Sequence, residues 1–247
     1  MDEARIAHNI AAVRERIAAA ARRAGRSPDE ITLIAVTKTH SAPTVKQALA
    51  AGVGDCGENR VQEADEKIAQ LQNEQTRWHL IGHLQRNKAK RAATLFDLIH
   101  SLDSLKLAET LNRYVADAEP LARSGRRLPV LLQVNVSGET TKEGFDLVGG
   151  LENQAAWTHF VQVAQQIVAL PHLEVQGLMT IAPYSEEPEA VRPVFRRLRA
   201  LRDELARQVP GATWQHLSMG MTGDFEVAIE EGATLVRVGR AIFGERA

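Results

Sequence analysis

The chain has 247 residues, 44% hydrophobic and 25% charged, with a formal net charge of −1. That length holds a large core, in one α/β barrel or two smaller domains, and that charge gives no global positive field for nucleic acid or an anionic membrane. Cys56 is the single cysteine, which excludes an internal disulfide and a cysteine metal cluster and fits a reducing compartment.

The N-terminal stretch "MDEARIAHNIAAVRERIAAAARRAG" carries charges throughout. No signal peptide is expected there, and no run reaches the length of a membrane span. A cytoplasmic protein is the default expectation. Ile6, Ile10, Val13 and Ile17 fall on one face of a leading helix. Gly25 stops it and "GRSPDE" turns the chain. "ITLIAV" is an almost continuous apolar run with β-branched residues, as expected of a strand buried on both faces.

The pattern then alternates. "TVKQALAAG" is a helix, "VGDCGEN" a weak strand and loop, and "RVQEADEKIAQL" a helix. "WHLIG" is a strand, "RNKAKRAATL" a helix and "DLIHSL" a strand. Ser104 caps a helix running to Ala118, with Leu107, Leu111 and Val115 on one face. "PVLLQVNV" is the strongest strand, and "AWTHFVQVAQQIVAL" is a helix ended by Pro171. "LEVQGLM" is a strand. The helix "VRPVFRRLRALRDELARQV" turns Val191, Phe195, Leu198, Leu201 and Leu205 inward. "WQHLSM" is a strand, "DFEVAIEEG" a helix and "TLVRVG" the last strand. The loops include "RSGRR" and Gly149-Gly150.

About eight β/α units without a long linker need parallel strands and right-handed crossovers. Their number and the chain length predict an α/β fold, a single (β/α)₈ TIM-type barrel with an extra N-terminal helix, as one domain over 1–247. A doubly wound open sheet shares the local signal and is the alternative.

In such barrels the site lies at the C-terminal ends of the strands. That rule selects Lys38 and Thr39, Glu58 and Asn59, His83, Ser101, Asn135 and Ser137, Met179 and Thr180, Ser218 to Asp224, and Gly239 with Arg240. "SMGMTGD" is a loop of small and hydroxyl residues opening onto a helix, and "RVGRAIFG" places glycine and arginine at the next strand end. Backbone amides there, with Ser218 and Thr222, can hold a phosphate dianion. A glycine in either loop alone would only mark a tight turn; the two together favour phosphate. Lys38 alone reads as a solvated or paired amine. At the mouth of an apolar barrel, desolvation and nearby cations would expose it as a nucleophile. An amine and a phosphate cradle at one mouth suit a phosphorylated aldehyde held as a Schiff base.

Other motifs have plainer readings. His79 and His83 in "WHLIGH" have a zinc spacing for a helix but sit on a strand and loop, so no metal is expected. The basic run Arg86–Arg91 reads as a solvated helix face without interleaved aromatics. Arg192, Arg196, Arg197, Arg199 and Arg202 read the same way. Lys142, after the fifth strand, is a second loop amine.

"AVTKTH", "GENRVQE", "WHLIGHLQRNKAK", "LLQVNVSGE", "GLMTIAP", "LSMGMTGDFEVAIEEG" and "VRVGRAIFGER" occur in this order over nearly the whole chain. In them the sequence resembles the pyridoxal phosphate homeostasis protein family. The resemblance implies one (β/α)₈ barrel, similar to the N-terminal domain of bacterial alanine racemase, carrying pyridoxal 5'-phosphate on a lysine. That lysine maps onto Lys38. The phosphate residues map onto Ser218, Thr222, Arg237 and Gly239, and Asn59 onto a neighbour of the ring edge. Thr222 stands where many relatives have serine and keeps the hydroxyl. Arg237 has two further readings, a partner of the pyridine nitrogen or a residue of the barrel core.

Racemase-like catalysis needs a second base, a tyrosine from a separate β-domain, and none is expected after the eighth strand. Tyr114 sits in a helix, and Tyr184 reads as a loop tyrosine. The resemblance implies a cofactor-binding protein of vitamin B6 homeostasis without evident catalysis, with pyridoxal phosphate-dependent enzymes as recipients. A weak one-base racemase is the alternative, and a phosphate-ester enzyme of the same barrel type a third reading. The outer helices show no unusually long apolar stripe, so a monomer is expected.

Overall fold

The computed structural model of the chain describes residues 3–72, 75–118, 125, 127–139 and 143–245. Lys142 and most of the "RSGRR" loop lie outside the described residues.

Eight strands close into a parallel barrel. They are β1 (Thr32–Val36), β2 (Asp55–Glu58), β3 (Arg77–Leu80), β4 (Leu98–Leu102), β5 (Leu128–Asn135), β7 (Leu173–Met179), β8 (His216–Ser218) and β9 (Leu235–Val238). β9 pairs back onto β1, with Ile34 opposite Arg237, and this closure excludes the open sheet. The two-residue β6 (Phe145–Asp146) adds to β5 outside the ring. It is too short to carry a periodic signal. Gly144 permits its approach, because a Cβ there would stand 2.8 Å from the Gln133 carbonyl oxygen.

The helices are α1 (Glu3–Arg23), α2 (Ala42–Ala50), α3 (Val61–Leu71), α4 (Ala89–Leu95), α5 (Leu105–Asp117), α6 (Gln154–Val168), α7 (Arg192–Gln208), α8 (Phe225–Glu230) and α9 (Arg240–Phe243). Ser104 caps α5 as its sequence implies, its Oγ accepting from Leu107 N at 3.3 Å. The apolar stripe of α1, extended by Ala20 and Ala21, is buried against α2, α8 and α9. Asn9 Nδ2 donates to Ile242 O at 2.8 Å, so the leading helix ties the last helix to the first unit.

Side chains alternate between the barrel interior and the helix-facing side. Leu33, Ala35, Val236 and Val238 face outward into the main core, while Ile34, Leu98, Leu131, Met179 and Leu235 form a separate small cluster inside. The rest of the interior is polar: His79, His100, Gln133, Ser218 and Arg237 are all buried.

Arg196 and Arg199 of α7 are exposed as expected, but Arg192, Arg197 and Arg202 depart from the solvated role. Arg192 holds Glu189, Glu230 and Glu231 at 2.6, 2.7 and 2.7 Å. Arg197 donates to Val136 O at 2.7 Å and Arg202 to Trp214 O at 3.2 Å. The α7 face lies against α8 and the strand-end loops, so long guanidinium stems reach backbone carbonyls that would otherwise lack donors.

Candidate functional site

A cavity of about 470 Å³ opens at the C-terminal end of the barrel. Val36 of β1 and Lys38 after it, Pro183 and Tyr184 after β7, Met221 to Asp224 after β8, Arg237 of β9, Gly239 after it and Arg240 of α9 line it. That volume is within the range of pockets that take small cofactors, about 300–1,000 Å³.

Lys38 sits on a braced turn. Thr39 adopts a φ of 67°, which is costly for a β-branched residue. Its N–H donates to Glu63 Oε1 in a short bond. Lys67 Nζ, from α3, reaches Thr37 O at 2.6 Å, Glu58 Oε1 at 2.7 Å and Glu63 Oε1 at 2.7 Å. The Thr37 hydroxyl donates to Glu58 Oε1 at 2.5 Å. Burial pushes the Glu58 carboxyl up against the opposing pull of Lys67 and Thr37. Burial also acts on Glu63, but the bonds from Lys67 and Thr39 outweigh it and hold that carboxyl below its ordinary value. Lys67 thus fixes the carbonyl preceding Lys38 and, through Glu63, the amide following it.

The loop after β8 supplies the opposite chemistry. Asp224 Oδ1 accepts from Met221 N at 2.6 Å, and Phe225 N donates to Met221 O at 2.9 Å. Among the described residues, the amides of Thr222 and Gly223 are not used by that turn. Gly239 follows β9, and a Cβ there would meet Val36 Cβ in ordinary contact at 3.4 Å. Burial pushes the Asp224 carboxyl up, while the bond from Met221 and the charge of Arg237 pull the other way.

Arg237 forms part of the cavity wall and is buried. Its Nη1 donates to Ser218 Oγ at 2.6 Å and its Nη2 to Thr180 O at 2.8 Å. Burial pushes its guanidinium down to about 10, which leaves it cationic at neutral pH. Ser218 does not join the cavity wall: it is fully buried, with Oγ between Arg237 and His100 Nδ1 at 2.8 Å. Ser218 is the last residue of β8 and shares the inward parity of His216, which turns it into the barrel. Asn59 lines a separate cavity of about 230 Å³ with Ile81, Gln133, Asn135 and Glu143. The structure therefore brings Lys38, Thr222, Arg237 and Gly239 to one cavity, and places Ser218 beneath it and Asn59 beside it.

The other candidates separate clearly. His79 is buried in the barrel, whereas His83 is exposed and pairs with Asp103 at 3.0 Å, so the two rings share no face. Tyr184 is 79% exposed at the cavity mouth. Burial pushes the Cys56 thiol up to about 12, which makes it inert as a nucleophile. Lys67 and His100, which brace the site from behind, are the residues that sequence reading did not select. Their signal was a polar residue embedded in an apolar strand, as in "LIHSL", or a lysine within an otherwise helix-like run.

Comparisons with known proteins give the family and the fold. The family model described as "Alanine racemase, N-terminal domain" matches residues 1–247. A protein of Aquifex aeolicus named pyridoxal phosphate homeostasis protein is 43% identical over 237 residues, covering 96% of each chain. One of the same name from Escherichia coli strain K12 is 41% identical over 246 residues, covering 98% of this chain and 97% of that one. PipY of Synechococcus elongatus, solved with pyridoxal phosphate bound, superposes with a TM-score of 0.80 at 36% identity, covering 97% of this chain and 100% of that one. Alanine racemase from Corynebacterium glutamicum, 20% identical with a TM-score of 0.69, shares the fold; this chain covers 62% of it.

Proposed function

The chain belongs to the pyridoxal phosphate homeostasis protein family, within the alanine racemase N-terminal domain class, and on that premise we propose that it binds pyridoxal 5'-phosphate as a Schiff base on Lys38. The observation that carries this is one cavity lined both by Lys38 and by the amide-rich Thr222–Gly223 and Gly239 edges. When bound, the cofactor supplies an electrophilic aldehyde carbon and a phosphate dianion. Lys38 would hold the cofactor at that carbon as the amine partner of the Schiff base, with the carbonyl oxygen lost as water. Thr222 and the amides of Gly223 and Gly239 hold the phosphate. Arg237 adds a fixed cation to the cavity wall, and Ser218 supports it from below. Asn59 has no contact role in this reading.

In this reading the chain is one pyridoxal phosphate-binding barrel domain over 1–247. It acts as a monomer in the cytoplasm in vitamin B6 homeostasis, storing the aldehyde and releasing it to pyridoxal phosphate-dependent enzymes. Catalysis is not part of it. Tyr184 at the cavity mouth is mostly exposed. Among the described residues the only exposed large hydrophobics are Val148 and Tyr184, which fits a monomer.

Borohydride reduction of the loaded protein tests the anchor. The adduct should map to Lys38 by mass spectrometry, and the visible band should vanish in Lys38→Ala. A band that persists in Lys38→Ala sinks the assignment. Solvent-deuterium exchange at the α-carbon of added amino acids would instead favour a racemase-like enzyme.

A further inference from the structure

A line of hydrogen bonds runs through the barrel interior and ends on Arg237. Arg237 Nη1 lies 2.6 Å from Ser218 Oγ, which lies 2.8 Å from His100 Nδ1. His100 Nε2 lies 2.9 Å from His79 Nδ1, and His79 Nε2 lies 2.8 Å from Asp55 Oδ1. Five strands each give one link: β9, β8, β4, β3 and β2. The line starts at the cofactor cavity and ends near the opposite barrel mouth, where Asp55 is the first residue of β2 and pairs with Arg77 at 2.9 Å.

The ends fix the polarity of the middle. A guanidinium only donates, and an ionised carboxylate only accepts. Burial acts to raise Asp55, but the bonds from His79 and Arg77 and the charge of Arg77 outweigh it and hold it below its ordinary value. His79 must therefore give its Nε2 proton to Asp55. With its Nε2 proton given to Asp55, His79 presents Nδ1 to the Nε2–H of His100 at 2.9 Å. His100 accepts at Nδ1 from the Ser218 hydroxyl. Ser218, with its proton committed, turns a lone pair to Arg237. Full burial holds the His100 imidazole well below its ordinary range, and the charge of Arg237 adds to this, so a neutral ring is consistent. Were His100 to donate to Ser218 instead, the serine proton would compete with Arg237 for space and find no acceptor in the line of bonds.

We propose that Asp55, His79, His100 and Ser218 form a one-way relay that positions Arg237 and keeps it aimed at the cavity as an oriented cation. The residues are positioning residues: only Arg237 reaches the cavity wall. The proposal rests on the reading of that cavity as a pyridoxal phosphate site. Breaking the relay removes the acceptor of a buried cation, and hydrogen bonds to charged groups are strong enough for such a loss to be read in affinity.

Two measurements on the full chain test it. First, ¹⁵N NMR of the imidazoles, without added cofactor, should show His79 and His100 neutral and protonated on Nε2. An imidazolium or an Nδ1-protonated ring at His100 overturns the relay. Second, pyridoxal phosphate is titrated into His100→Leu, His100→Gln and Ser218→Ala, following affinity and the position of the bound absorbance band. Leucine removes both bonds and should weaken binding about tenfold and move the band. Glutamine can donate to His79 and accept from Ser218, so it should stay within about threefold of the unsubstituted protein. Ser218→Ala is the smaller change and should match leucine, which covers the case in which His100→Leu does not fold. A merely structural role would lower melting temperature in all variants but leave band and affinity unmoved. Binding by a folded leucine or Ser218→Ala variant equal to that of the unsubstituted protein overturns the proposal. If the unsubstituted protein takes up no pyridoxal phosphate, the reading of the cavity fails and this role falls with it. The ring tautomers would still decide the polarity.

Discussion

Lys67 Nζ lies 2.6 Å from the carbonyl oxygen of Thr37, the residue immediately before Lys38. The same ammonium contacts two carboxyl groups, Glu58 and Glu63, each at 2.7 Å. One buried charge from α3 therefore fixes the backbone on which the proposed anchor stands, and the strained φ of Thr39 is held by Glu63 from the same cluster. Removing one partner of a buried ion pair strands the other. Lys67→Met should cost about 3–5 kcal/mol in denaturant unfolding and reduce covalent capture at Lys38. Adding Glu58→Leu should restore much of the stability, because no uncompensated carboxylate remains at that position. A Lys67→Met protein as stable as the parent would show that the cluster carries no such burden.

Two glycines should behave oppositely. A Cβ on Gly177 would stand 1.9 Å from His216 O, inside the β7–β8 pairing. Neither backbone can give way without losing the register, so Gly177→Ala should cost about 3 kcal/mol or more. Gly223 has no atom within 4 Å of the corresponding position, and Gly223→Ala should change stability by less than about 0.5 kcal/mol. Urea unfolding of the two variants side by side checks the contrast.

Thr222 should matter through its hydroxyl alone. Thr222→Ala should weaken pyridoxal phosphate binding about tenfold, the size of one hydrogen bond to a charged group, while Thr222→Ser should stay close to the parent. Equal losses in both variants, measured by equilibrium titration, would point to packing instead.

Stability should fall in mild acid through His100. Its ordinary value is 6.5, and the folded protein holds it well below, mainly by burial. The unfolded chain therefore binds a proton that the folded one refuses, and stability present above about pH 6.5 is lost as pH falls from there towards the folded value. His216 is shifted the same way by burial and adds to the slope. Unfolding midpoints at pH 7.5 and 5.5 should differ less in His100→Gln than in the parent. An unchanged difference would mean that His100 is already protonated in the fold.

Much of this molecule was legible in the chain. The 3.6-residue stripe of Ile6, Ile10, Val13 and Ile17 fixed α1, and "LEVQGLM" marked β7 to the residue. Such signals are local, because an amphipathic face or a doubly buried strand is written in consecutive residues. Lys38 and the loop after β8 were also legible, since strand ends in a parallel barrel share one mouth whatever the details of packing.

What the sequence by itself determined is thus a repeating β/α chain whose strand ends carry an amine, a hydroxyl and glycines. Closure of the barrel decided the rest. It set Ile34 opposite Arg237 and stacked Asp55, His79, His100 and Ser218 inside one ring. It also turned Ser218 inward, away from the cavity wall, and put Asn59 in a neighbouring cavity. None of these pairings is encoded in neighbouring residues. Asp55 and Ser218 lie on strands far apart in the chain, and only the curvature that joins β9 to β1 brings their buried polar groups within hydrogen-bonding distance of shared partners.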